Sequence, residues 1–182
     1  MTRIFLTLST LSNLFLGVTL WLGFQIGDPS TAKEVGNVTV HIFSGLGALI
    51  FGIMVHSVVL TYFMGTGRWL EETCAAYRLG PAWYDKNKAL KWKLLPWLVL
   101  AILLLIVTGG FGGAADPGST IRFQGWAGLT AAGVHQVVAL TMLTANLLIN
   151  LGEYAALAEN ATLVNQVLAE VKRMRLERGL DV

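Results

Sequence analysis

The sequence predicts an all-α integral membrane protein, a four-helix bundle with helical extensions outside the bilayer. Three observations carry that expectation. The 182 residues are 54% hydrophobic and 13% charged, against about 25% charged in a soluble domain. Four apolar runs approach or exceed the roughly 20 residues that cross the hydrocarbon core. Basic residues gather in alternate connections, as the positive-inside rule requires. The size suits a single membrane domain over residues 1–182, and a net charge of +2 gives no argument for nucleic acid as a partner. A single cysteine, Cys74, excludes an internal disulfide and covalent haem attachment through Cys-x-x-Cys-His.

The first span is expected over residues 4–26, stopping at Gly27-Asp28-Pro29. Its apolar part is longer than a signal-peptide core and lacks an obvious cleavage site, so it reads as a retained helix. The second, over 36–65, follows Thr31-Ala32-Lys33-Glu34, which has the capping-box pattern. The third, over 93–109, is expected to break at Gly109-Gly110-Phe111-Gly112-Gly113, opening a flexible loop to Gly118. The fourth is expected over 126–151. Trp21, Trp69, Trp92, Trp97 and Trp126 fall near span ends, where an aromatic belt sits.

Helical extensions are expected over 68–79, stopped by Gly80-Pro81, and over 153–178. Leu157, Ala161, Val164, Leu168 and Val171 recur there at spacings of three and four, an amphipathic stripe. Arg3, the basic residues from Arg68 to Lys93, and Lys172, Arg173, Arg175 and Arg178 outnumber Lys33 and Arg122 in the other connections. Both termini and the second connection are therefore expected in the cytoplasm of a bacterial-type inner membrane. The stripe reads as a surface for the other extension, a further subunit of a complex, a second copy of the chain, or the lipid bilayer.

The only histidines, His41, His56 and His135, lie in apolar runs. An ionisable side chain there is costly, which makes it a functional candidate, and neutral imidazole is the common axial ligand of haem iron. His41 and His56 are about 22 Å apart along one helix. Depths taken from span midpoints differ by about 9 Å for His41 and His135 and about 13 Å for His56 and His135. The favoured haem b ligands are therefore His41 and His135. Gly45 and Gly52, with nearby small residues, would admit a flat macrocycle. The same small residues suit plain helix–helix contact. His56 is left to a structural hydrogen bond, a quinone contact, or a ligand completed by another subunit. Gly52-xxx-His56 and Ala131-xxx-His135 would equally suit a bacteriochlorophyll magnesium ligand. Arg68 and Trp69, at a span end, are candidate contacts for a quinone head group, beside the plainer reading of interfacial anchors. Asn13, Asn146 and Asn150 read as interhelical glue. No acidic or basic residue is expected well inside a span, which argues against a transporter. No nucleophilic triad or Cys/His metal cluster is present, so catalysis by this chain alone has no support.

Four spans with histidines on two of them resemble the small b-type cytochrome anchor subunits of respiratory complexes, in architecture and over Ile4 to Leu151. The resemblance implies electron transfer between a partner subunit and quinone through haem, with His41 and His135 as axial ligands. It departs from a two-haem wire because a fourth histidine is missing. A cofactor-free structural or assembly subunit is the alternative function, and a bacteriochlorophyll-binding subunit a second one.

Overall fold

The connection after Tyr77 is a tight turn, and the one after Ala115 carries a small hairpin. The computed structural model describes residues 1–27 and 32–180, with side chains from residue 35 onward in the second helix. The Asp28-Pro29 stop and the proposed capping box at residues 31–34 fall outside these described positions. Four helices follow in order: α1 Thr2–Phe24, α2 Ala32–Tyr77, α3 Ala82–Ala115 and α4 Ala131–Glu177. All four are long and apolar enough to cross a membrane. At 1.5 Å per residue α2 and α4 are about 70 Å long, more than twice the roughly 30 Å hydrocarbon core. In a membrane of that thickness they would project well beyond it.

α1 packs between α2 and α4, and α3 packs between them on the other side. α2 and α4 therefore face each other across the diagonal. Two apolar clusters fill the bundle. One is Leu16, Ala48, Leu105 and Met142. The other is Phe5, Val55, Val59, Phe63, Leu94, Leu98 and Leu157. Large apolar side chains also cover the outside, among them Phe43, Ile50, Trp97 and Leu148. Ser9, Ser12, His56, Asn146, Asn150, Glu153 and Asn160 lie buried inside. An apolar exterior around a partly polar interior is compatible with lipid as the surrounding solvent.

Beyond α1 the other three helices continue as a stalk. Leu70, Leu163 and Val167 form its core, closed by Trp69, Leu79, Trp83 and Val171. The inner face of α4 runs through Leu157, Asn160, Leu163 and Val167, and Leu168 is exposed. The expected stripe is thus set slightly off the true one, and its inner part packs on the extension of α2. At the neck, Asn87 donates to Asn160 Oδ1 at 2.7 Å, and Asn160 donates to Thr66 Oγ1 at 3.0 Å. These bonds tie α3, α4 and α2 together.

Several expected boundaries move. The basic residues between Arg68 and Lys93 lie mostly on helices, and the connection itself is a tight turn. α2 ends at Tyr77 because Arg78 adopts a left-handed φ of 56°, with Leu79 N–H bonded to the Cys74 carbonyl at 3.0 Å and Arg78 N–H to Ala75 at 3.4 Å. This is a Schellman stop made without glycine. α3 does not break at its glycines but continues through Gly109–Gly113 to Ala115. Each glycine weakens a helix, yet leaving backbone groups unpaired in apolar surroundings is worse. The fourth helix does not start at Trp126. A hairpin pairs Gly125–Trp126 with Leu129–Thr130, turning at Ala127 and Gly128, whose φ values are 52° and 80°. Two left-handed residues make the two-residue turn that matches strand twist. Thr130 then caps α4, its hydroxyl accepting from Gly133 N–H at 3.1 Å.

Candidate functional site

His41 on α2 and His135 on α4 meet across the bundle diagonal at the hairpin end. Their ring centroids are 6.0 Å apart and their planes cross at 70°. Neighbouring helices make room for both rings. A Cβ on Gly23 of α1 would come within 2.9 Å of His41 Cε1, and one on Gly112 of α3 within 3.1 Å of His135 Cε1. The α3 glycine run therefore has a use that a loop would not have served. His41 Nδ1–H donates to the Thr19 carbonyl at 3.0 Å. A carbonyl can only accept, so the proton sits on Nδ1 and the Nε2 lone pair of the neutral ring is free. Thr19 is itself fixed by a 2.7 Å hydroxyl contact with Ser44. His135 lies beside the Thr108 backbone carbonyl, but its buried Nδ1 makes no hydrogen bond of ordinary geometry.

The glycines expected to admit a macrocycle face other partners. Gly45 opens toward Thr19 at 3.5 Å, and Gly52 toward Leu105 at 3.1 Å. Both sit at helix–helix contacts. Gly23 and Gly112, which sequence reasoning passed over, abut the imidazoles instead.

His56 stands apart, about 22 Å along α2 from His41. It is buried in a polar network. Nδ1 lies 2.6 Å from Glu153 Oε1. Nε2–H donates to Asn146 Oδ1 at 2.8 Å. Asn146 donates to Asn13 Oδ1 at 2.9 Å, and Asn13 to the Ser9 carbonyl at 2.8 Å. Glu153 is 0% exposed, so the bundle encloses an acidic side chain. Sequence reasoning placed Glu153 at the end of a span. The signal was its spacing: Asn146, Glu153 and Asn160 recur every seven residues, which puts them on one seam of α4.

Arg68 and Trp69 do not form one site. Arg68 is exposed and bonds Glu72 at 2.8 Å, and that bond and charge raise its already high pKa. It lines a cavity of about 560 Å³ with Gly67, Asn87, Lys88 and Lys91. Trp69 turns the other way, onto the stalk core. Among the described residues, no three His, Cys, Asp or Glu side chains converge as a metal site would need. The chain offers two imidazoles close together, donors of the kind that could hold a metal-bearing group. Comparison with known protein families, with curated proteins and with solved structures finds no match for this chain.

Proposed function

We propose that this chain is a membrane-embedded electron carrier that binds one haem b through His41 and His135. The observation that carries the reading is the meeting of two imidazoles, 94 residues apart in sequence, at 6.0 Å between centroids. His41 and His135 would hold the iron through imidazole nitrogen. The donor set also fits. Metal-binding histidines usually give their second N–H to a carbonyl or carboxylate, and His41 gives its Nδ1–H to Thr19.

Bound haem supplies one-electron chemistry, exchanged with quinone or with a partner subunit. The chain's own residues do the rest. The Thr19 carbonyl fixes the His41 tautomer and makes Nε2 more basic. Gly23 and Gly112 let α1 and α3 close over the ring edges. Leu16, Ala48, Leu105 and Met142 form an apolar core in the bundle, which helps to keep water out. The bundle crosses the bilayer four times with its stalk and both termini in the cytoplasm. Support for that orientation is the crowding of Arg3, Arg78, Lys86, Lys88, Lys91 and Lys172 at the stalk end, against Arg122 near the hairpin. The carrier works with other subunits of a complex or a second copy of itself.

The test is the visible spectrum of protein purified from haem-replete cells. A dithionite-reduced α-band is expected, lost in His41→Ala and in His135→Ala. A band that survives both substitutions overturns the ligand assignment. Protein free of haem overturns the carrier reading in favour of a cofactor-free assembly subunit. A near-infrared pigment band would favour bacteriochlorophyll.

A further inference from the structure

The electron carrier proposed above makes no use of the buried pair His56 and Glu153. We infer that this pair is a proton-binding site inside the membrane part of the bundle, loaded from water at the neck of the stalk. Three observations place it. First, the geometry of the pair calls for one proton between its members. Asn146 Oδ1 accepts at 2.8 Å, so His56 Nε2 carries its hydrogen. Across the 2.6 Å Nδ1–Oε1 contact, imidazolium–carboxylate and imidazole–carboxylic acid differ only in where one proton sits. Both forms are neutral overall, and either can gain a proton.

Second, the network is incomplete at Glu153 itself and on the hairpin side of it, where water would complete it. Glu153 Oε2, both amide atoms of Asn150 and Ser12 Oγ are buried without a hydrogen-bond partner. A network that served only to fix helix register would be expected to satisfy its members, because unpaired groups in apolar surroundings are costly. Buried water commonly completes such groups. Asn150 lies one turn from Asn146 and one from Glu153 on the same face of α4.

Third, the polar layers lead outward. Asn160 stands seven residues beyond Glu153, joined to Asn87 and Thr66, and Asn87 lines the 560 Å³ cavity at the neck. One apolar layer, Leu157 with Val59 and Phe63, separates Asn160 from Glu153 across about 10 Å. Loading requires water to cross that layer.

The step is a proton transfer. An O–H bond breaks in a hydronium ion at the neck and an O–H bond forms at Glu153 Oε2. Oε1 keeps the hydrogen bond from His56 Nδ1–H, and the pair goes from neutral to one positive charge. Among the described residues no other ionisable side chain faces it. α1 presents Ser9, Ser12 and Asn13, and α3 carries no Asp, Glu, Lys, Arg or His from Leu94 to Ala115. The inference does not depend on haem, since His41 is about 22 Å away along α2.

Infrared spectroscopy of the full chain in phosphatidylcholine vesicles tests it, with the proton itself as probe. A carboxyl band missing in Glu153→Gln is expected to grow as pH falls and to shift on transfer to heavy water. Deuteration is expected to slow roughly tenfold in Asn160→Leu, the effect of raising a barrier by about one hydrogen bond. Glu153→Asp should move the band, which keeps the assignment secure where Glu153→Gln does not fold. A Glu153 band that neither titrates nor deuterates makes the pair a sealed ion bridge and overturns the inference. Deuteration as fast in Asn160→Leu as in the native chain overturns the neck as the entrance.

Discussion

At the scale of single residues, the bundle interior sets strict terms for His56 and Glu153. Removing one member of a buried ion pair strands the other, which costs about 3–5 kcal/mol. Replacing both with apolar groups of similar size removes the stranded charge. His56→Leu and Glu153→Leu should each lower stability by that amount in detergent unfolding, and the double variant should recover most of it. A double variant as unstable as the sum of the singles would mean that the two side chains act independently. The glycines beside the imidazoles make a second prediction. Gly23→Val and Gly112→Val would drive side-chain carbons into His41 and His135. If these rings bind haem, either change should weaken the reduced α-band. Gly113→Val, at a position with open space, should leave the band alone.

At the scale of elements, helix ends carry the tests. Arg78 holds a left-handed φ of 56° at the end of α2, a conformation costing a non-glycine residue roughly 1–2 kcal/mol. Arg78→Gly should therefore stabilise the stalk by about 1 kcal/mol, read as a higher melting temperature. No gain would show that the Arg78 side chain compensates for the strain. Thr130→Ala removes the cap on α4 and should cost about 1 kcal/mol. The helices were legible from their apolar runs and their periodicity. Their ends were less so, because stop signals compete with tertiary contacts. Gly80-Pro81 was read as the stop of α2, yet the chain turns at Arg78. The glycines of α3 were read as a break, yet packed neighbours and apolar surroundings keep them helical.

At the scale of the whole molecule, the stalk makes the outer part of α4 depend on charge. Arg173 bonds both Glu170 and Glu177, and these neighbours hold its guanidinium pKa above its ordinary value. The hydrogen bond from Arg173 holds the Glu170 carboxyl below its usual range, with desolvation opposing it and the Arg173 charge adding to it. A lowered carboxyl pKa contributes stability above the unfolded pKa, and that contribution is lost as pH falls through the folded one. The stalk of Glu170→Gln should melt below the native stalk at neutral pH, and the gap should close in acid. Salt should narrow it, since the pair is exposed. A gap that persists in acid would rule out the ion pair as its source. Burial also pushes the Cys74 thiol up, so Cys74 should resist alkylating reagents at neutral pH until the stalk unfolds. Rapid labelling of the folded protein would contradict that packing.

The sequence by itself determined the four long apolar helices, the one-sided distribution of basic residues, and the histidines worth watching. These are one-dimensional properties: run length, composition and residue type. It ranked His41 with His135 by depth alone, with an expected mismatch of about 9 Å. Only the tertiary structure brought their rings to 6.0 Å, because the way α2 and α4 pack has no counterpart in residue counting. Only the tertiary structure joined His56 to Glu153, 97 residues away. A carboxylate read as the end of a span became an interior group because α4 continues past the bundle and turns its Asn146–Glu153–Asn160 seam inward. Which side of a long helix faces its neighbours depends on all of them at once, and that is decided in packing.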